Sequence, residues 1–226
     1  MIMTNKPIVI GVGGFARSGK DTFVKIAKKI LKENGYSSIK LAFADELKEE
    51  IDPFLKECYG ISAWTDVTEE KNLIRPLLVA HGCQKRIQTN GTYWIDKING
   101  EIDLIHCEDV VFVSDCRFPN EVDWVHNKWG GWFVHVKKYS IEKRYDDEDG
   151  KVVDCPIFDK APNDEEAKND PICEQKADFR LEMENAIERE QRLKGIKITP
   201  DSLIGNTYLN EEIRLCLSKC PFLTLR

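Results

Sequence analysis

The chain has 226 residues, a length that suits one α/β domain with insertions better than two independent domains. With 33 Lys and Arg against 39 Asp and Glu, the net charge is -6 and no basic block stands out, which argues against a nucleic-acid footprint. No apolar run approaches the ~18 residues of a membrane span, and the start "MIMTNKPIVIGV" lacks the features of a signal peptide, so a soluble, cytoplasmic protein that avoids membranes is expected.

The elements follow in chain order. "PIVIGV" (7–12) is a nearly continuous apolar run, as expected for a strand covered on both faces. The glycine-rich "GVGGFARSGKDTF" comes next, and then a helix with one apolar face through Phe23, Ala27, Ile30 and Leu31, stopped by Asn34-Gly35. "SIKLAF" (38–43) closes a strand, loop, helix, strand unit. Residues 46–100 read as interrupted helix, with Pro76 placed as a first-turn proline. "VVFVSD" (110–115) is a second buried-type strand, and "NEVDWVHNKWGG" reads as a helix capped by Asn120. "WFVHVK" (132–137) and, less regular, "ADFRLEM" (177–183) complete five strands, which argues for a parallel sheet between helices.

Tyr139 to Lys176 is charged, contains prolines and is weakly periodic, so it reads as an excursion from the sheet, with a hairpin signal at Asp149-Gly150. The eight cysteines are scattered without a C-x-x-C pair. Cys58, Cys83, Cys107 and Cys116 have apolar neighbours and read as small hydrophobes; a zinc site from Cys216, Cys220 and His106 lacks the usual ligand spacing.

The glycine-rich loop carries the chemistry. Gly14 to Lys20 fits G-x-x-x-x-G-K, but Asp21 stands where a Ser or Thr usually holds Mg²⁺, and Thr22 comes one place late. A loop between a buried strand and an amphipathic helix aims backbone N–H groups and the helix's positive end at an anion. Lys20 would then reach the outer phosphates; the plainer alternative is a tightly packed turn with Lys20 in solvent. Asp115 and Arg117 in "VVFVSDCRFPNE" fall at the C-terminal edge of a strand, where ligands of open α/β sheets collect. Asp115 suits a water on Mg²⁺ or a proton, and Arg117 a phosphate; the alternative is an ion pair between them that fixes a loop.

The segments "GGFARSGKDT", "LAFADELK", "RPLLVAHGCQKR" with "YWIDKI", and "VFVSDCRFPNEVDWV" with "GGWFVHVK" together resemble the bacteriophage deoxynucleoside monophosphate kinases. The resemblance covers residues 8–137, continues weakly in "ADFRLEMEN" and "NTYLNEEI", and is poor in 139–176 and in an insertion at 186–205. It implies a single domain with the three-layer P-loop NTPase fold around a five-stranded parallel sheet. Residues 46–100 would be the helical region that binds the monophosphate, and 139–176 a lid. The implied reaction moves the γ-phosphoryl of ATP, with Mg²⁺, onto a deoxynucleoside monophosphate in the host cytoplasm. Gly14, Arg17, Ser18, Gly19, Lys20, Asp21, Thr22 and the lid's Arg144 would hold ATP, and Asp21, Thr22 and Asp115 the metal. Asp45, Lys48, Arg75, Arg86 and Arg117 would hold the acceptor, with Lys20, Asp115 and Arg117 as the catalytic group. Trp94 would pack near the base, or serve as core. Lys143 and Arg144 would contact phosphates, or lie on a solvated loop.

Two other readings stay open. "SGKD" also occurs in phosphomevalonate kinases, so another small acceptor is compatible with the loop. A nucleotide-dependent switch would need a water-orienting Gln or Glu and a partner surface, and neither is identified. The partners expected are small-molecule nucleotides; a homodimer stays open.

Overall fold

The computed structural model describes residues 6–146, 151–185, 188–189 and 207–225. Strand β1 (Ile8–Gly13) leads through the glycine loop into helix α1 (Lys20–Glu33), and β2 (Ser38–Leu41) follows. Three helices come next, α2 (Phe43–Tyr59), α3 (Thr68–Gln88) and α4 (Tyr93–Leu104). Then come β3 (Val110–Cys116), α5 (Pro119–Trp129), the long β4 (Trp132–Asp146), β5 (Lys151–Phe158), α6 (Asp164–Gln175), β6 (Phe179–Glu184) and α7 (Thr207–Ser218).

Five strands run parallel in the order β2-β3-β1-β4-β6. This is the α/β architecture the apolar runs predict. β1 and β3 are buried along nearly their whole length, because helices cover both faces of the sheet. Alternate residues of each strand feed opposite layers. Ile10, Val12 and Phe112 pack with α1 and α7, whereas Val9, Val111 and Val113 pack with α4, α5 and Cys173 of α6. A third, smaller core of Ile51, Leu55, Ala63 and Ile74 joins α2 to α3.

The helices between β2 and β3 are also tied by charge. Glu50 of α2 accepts from Lys85 of α3, Lys97 of α4 and the Tyr93 hydroxyl, and contacts His81. Partial burial would raise its carboxyl, but those hydrogen bonds prevail and hold it at about 2.

Several local expectations need correction. Pro76 lies inside α3, well past its first turn. Ile74, Leu77 and Leu78 carry the helix across it by packing into the α2–α3 core. Asn120 does not cap α5: Phe118 does, with Pro119 as the first helical residue, and the Glu121 carboxylate takes the N–H groups of Arg117 and Phe118. Asn120 is turned sideways, donating to the Gly91 carbonyl. Cys58 and Cys107 are exposed, since their positions end a helix and fall in a loop, while Cys116 is buried as expected.

The charged excursion is more regular than its composition suggests. Its first part extends β4, and β5 pairs antiparallel with it from Tyr139↔Phe158 to Asp146↔Lys151. The Asp149-Gly150 turn signal lies outside the described residues, as does most of the 186–205 insertion.

Candidate nucleotide and acceptor site

The site forms at the C-terminal ends of β1, β2 and β3. Gly14 adopts φ +125°, and a Cβ there would sit 2.1 Å from the Val136 carbonyl oxygen, so only glycine lets the loop leave β1 against β4. Gly19 opens α1 in the left-handed region at φ 98° and provides no side-chain cap. The first-turn amides of α1 are therefore left for an external acceptor. Ser18 is buried, and its hydroxyl has no hydrogen-bond partner among the described residues. Arg17 forms the exposed apex at φ 67°, with its carbonyl accepting from Lys138 at 2.9 Å.

Lys20 is folded into the loop. Its ammonium donates to the Gly14 carbonyl at 2.7 Å and to the Phe15 carbonyl. Burial, together with the neighbouring Arg117 guanidinium, lowers it to about 8, while Glu166, Asp115 and Asp21 act in the opposite sense. Asp21 is exposed and bonds Lys40 of β2 at 2.7 Å. Thr22 is half-buried on the same first turn.

At the end of β3 the two oxygens of Asp115 accept from the backbone N–H groups of Phe43 and Ala44, at 2.8 and 2.9 Å. Asp115 thus caps α2. Burial pushes its carboxyl above the usual range, against the pull of those amides and of Arg117. Beyond it opens a cavity of about 270 Å³, lined by Phe43, Leu47, Lys48, Trp94, Asp115 and Arg117 among others. Trp94 is buried beneath it and donates to the Gly82 carbonyl at 3.2 Å, so it is both core and cavity wall.

Arg86 also borders the cavity, but its guanidinium is committed elsewhere. It meets the buried Glu121 at 2.7 Å and lies 3.2 Å from the centroid of the Phe118 ring. Lys48 lies 4.5 Å from the Trp64 ring centroid and 3.6 Å from Asp45 one turn away. Arg75 is exposed and lines a separate depression with Lys48, Trp64 and Lys71.

The structure thus gathers Lys20, Asp115 and Arg117 at the loop and Lys48, Arg86 and Trp94 around the cavity, and leaves Arg75 in the separate depression. Arg144 is exposed on the β4–β5 hairpin, 3.5 Å from Glu142. Lys143 and Arg144 are consecutive in a strand, so their side chains leave opposite faces and cannot both serve one phosphate.

One site residue escaped the sequence reading. Glu166, in the first turn of α6, is buried; one carboxylate oxygen accepts from the Ala16 N–H of the loop at 2.8 Å and the other from Arg117 at 3.0 Å. Asn163 caps the helix by accepting from the Glu166 N–H at 2.9 Å. The signal was in the sequence: N-D-E-E after a proline is a helix start with an acid three residues beyond the cap.

The donor set suits Mg²⁺. That ion commonly takes one or two carboxylates and keeps its remaining positions for water and phosphate oxygens. Asp21 is an exposed hard-oxygen donor beside Lys20, and among the described residues no group of three or more His, Cys, Asp or Glu forms a closed metal cage. Cys216 and Cys220 are buried in the core with α1, and that burial raises both thiols. No described helix is long and apolar enough to cross a membrane.

No family model matches the chain, and no curated protein matches it. Among solved structures, APE1195 is similar at 22% identity and a TM-score of 0.28; the match covers 58% of this chain and spans 61% of that protein. A shikimate kinase from Acinetobacter baumannii, in complex with shikimate, is similar at 11% identity and a TM-score of 0.38, over 94% of both chains. A gluconokinase from Sinorhizobium meliloti is similar at 16% identity and a TM-score of 0.32, over 95% of this chain and 92% of its own. At such scores these likenesses say nothing of this chain's chemistry.

Proposed function

We propose that the chain is an ATP-dependent phosphotransferase that moves the γ-phosphoryl group onto a deoxynucleoside monophosphate. The observation that carries the reading is the position of Arg117, which lines the cavity beside Asp115 and Lys48 and shares the carboxylate of Glu166 with the loop amide of Ala16. One cation therefore stands between two sites suited to anions. Phosphoryl transfer asks for that arrangement: two anionic substrates held in line, with positive charge on the equatorial oxygens of the moving group.

In this reading the α1 amides and Lys20 take the donor's phosphates, and Ser18 offers a hydroxyl that has no partner among the described residues. Asp21, with Thr22 and Asp115, would hold Mg²⁺, which when bound offsets phosphate charge. Lys48 and Arg117 face the acceptor's phosphate, and Phe43, Leu47 and Trp94 supply apolar walls for its sugar and base. Asp115 also holds the first turn of α2, which fixes where Lys48 stands one turn later. Residues 46–100 then form the acceptor side of a single domain, and 139–176 the cover over the donor.

Coupled ADP release, measured with ATP and Mg²⁺ and each deoxynucleoside monophosphate in turn, tests the reading. ADP formation should depend on at least one of the four. Equal release with and without every acceptor would sink it, and release only with a non-nucleotide alcohol or phosphate would move the chain to another small-molecule kinase.

A further inference from the structure

We infer that Glu166 is a built-in competitor for the donor phosphates: α6, held against β4, places this carboxylate on the loop, and a nucleotide must displace it to bind. The inference rests on the reading of the loop as a phosphate site. It names a residue and a helix that regulate that site.

An acid at the third position of a helix ordinarily reaches back to its own cap. Glu166 instead spans to a loop 150 residues earlier in the chain. There its carboxylate accepts from the Ala16 N–H at 2.8 Å and from Arg117 at 3.0 Å, and the side-chain amide of Asn163 lies 3.5 Å away. A backbone amide of a glycine-rich loop and an arginine fork are the donors a phosphate oxygen would use. Glu166 is itself buried, at 6% exposure, so the contact is not a passing surface pair.

The rest of α6 is held in the same manner. Asp170 meets the buried His135 at 2.9 Å, and Glu174 meets Lys137 at 2.6 Å. Residues 166, 170 and 174 share one helix face, which lies against three cationic or imidazole side chains. Within α6 only Glu166, Asp170 and Cys173 are buried, so the helix lacks the broad apolar stripe that would fix it permanently. A polyphosphate carries more charge than a single carboxylate and competes for Ala16, Arg117 and Lys20 together.

Calorimetric titration of ADP and of inorganic tripolyphosphate into wild type, Glu166→Gln and Glu166→Ala tests the inference. Both variants should bind about tenfold or more tightly than wild type, the size expected from removing one charge-assisted competitor. In wild type, amide hydrogen exchange in 164–175 should quicken when ADP saturates the site. Equal or weaker binding by the variants, with wild type binding normally, would overturn the inference and leave the loop reading standing. Failure of all three proteins to bind either probe would overturn both. Should the variants not fold, the wild-type exchange decides: unchanged or slower exchange in α6 rejects the competitor.

Discussion

Lys20 combines two demands that pull apart, since a phosphate ligand needs it charged and burial in the loop favours the neutral amine. Its value of about 8 in the free protein gives the sign of a pH effect. Phosphate binding raises that value, so above pH 8 binding must take up a proton and affinity falls as pH rises. Tripolyphosphate titrated without Mg²⁺ should lose up to about tenfold in affinity per pH unit above pH 8, and Lys20→Arg should flatten the slope. A flat wild-type profile would mean that Lys20 does not meet the anion. The same burial makes stability rise with pH from about 8 toward the unfolded value of 10.5, because the unfolded chain holds the proton longer.

Asp21 poses a different question, because Lys40 already neutralises it. If it belongs to the metal shell, Asp21→Ala should raise the Mg²⁺ concentration for half-maximal activity and lower kcat, and Asp21→Ser should recover much of both. If it only complements the dipole of α1, the change should cost about 0.3–1 kcal/mol of stability and leave the Mg²⁺ dependence untouched.

At the scale of elements, Arg86 ties α3 to α5 through a carboxylate with 2% exposure. Removing one partner of a buried pair strands the other charge, so Arg86→Met should cost about 3–5 kcal/mol in urea unfolding. Should stability hold while the acceptor KM rises, Arg86 is a phosphate clamp, as the family resemblance implies. Element prediction itself followed a simple division. Strands buried on both faces, β1, β3 and the first part of β4, announce themselves as apolar runs; β2 and β6 are less covered and were legible from shorter runs. Pro76 and Asn120 were misjudged because propensity acts locally, while α3 is carried by packing against α2 and α5 is capped by Phe118 with Glu121 reaching back. The pairing of β4 with β5 was legible only as a turn signal, because β5 is a largely exposed edge strand interrupted by Asp154 and Pro156, so its apolar residues form neither a covered run nor a regular alternation.

For the molecule as a whole, the sequence by itself determined that an α/β sheet would carry a glycine-rich loop at one strand end and Asp115 with Arg117 at another. Those features are local: a run of apolar residues, a spacing of glycines, a charged pair at the end of a strand. It also held Asp21 at the place after Lys20 where a Ser or Thr is usual. Only the tertiary structure decided what each of those side chains faces. Asp115 caps α2 as well as bordering the cavity, Arg86 is spent on Glu121, and Arg75 lies outside the cavity lining. Above all, Glu166 reaches the loop from a segment that composition marks only as charged. The physical reason is that a carboxylate's role depends on which donors lie within about 3 Å of it, and chain folding across 150 residues sets that distance, not spacing along the sequence.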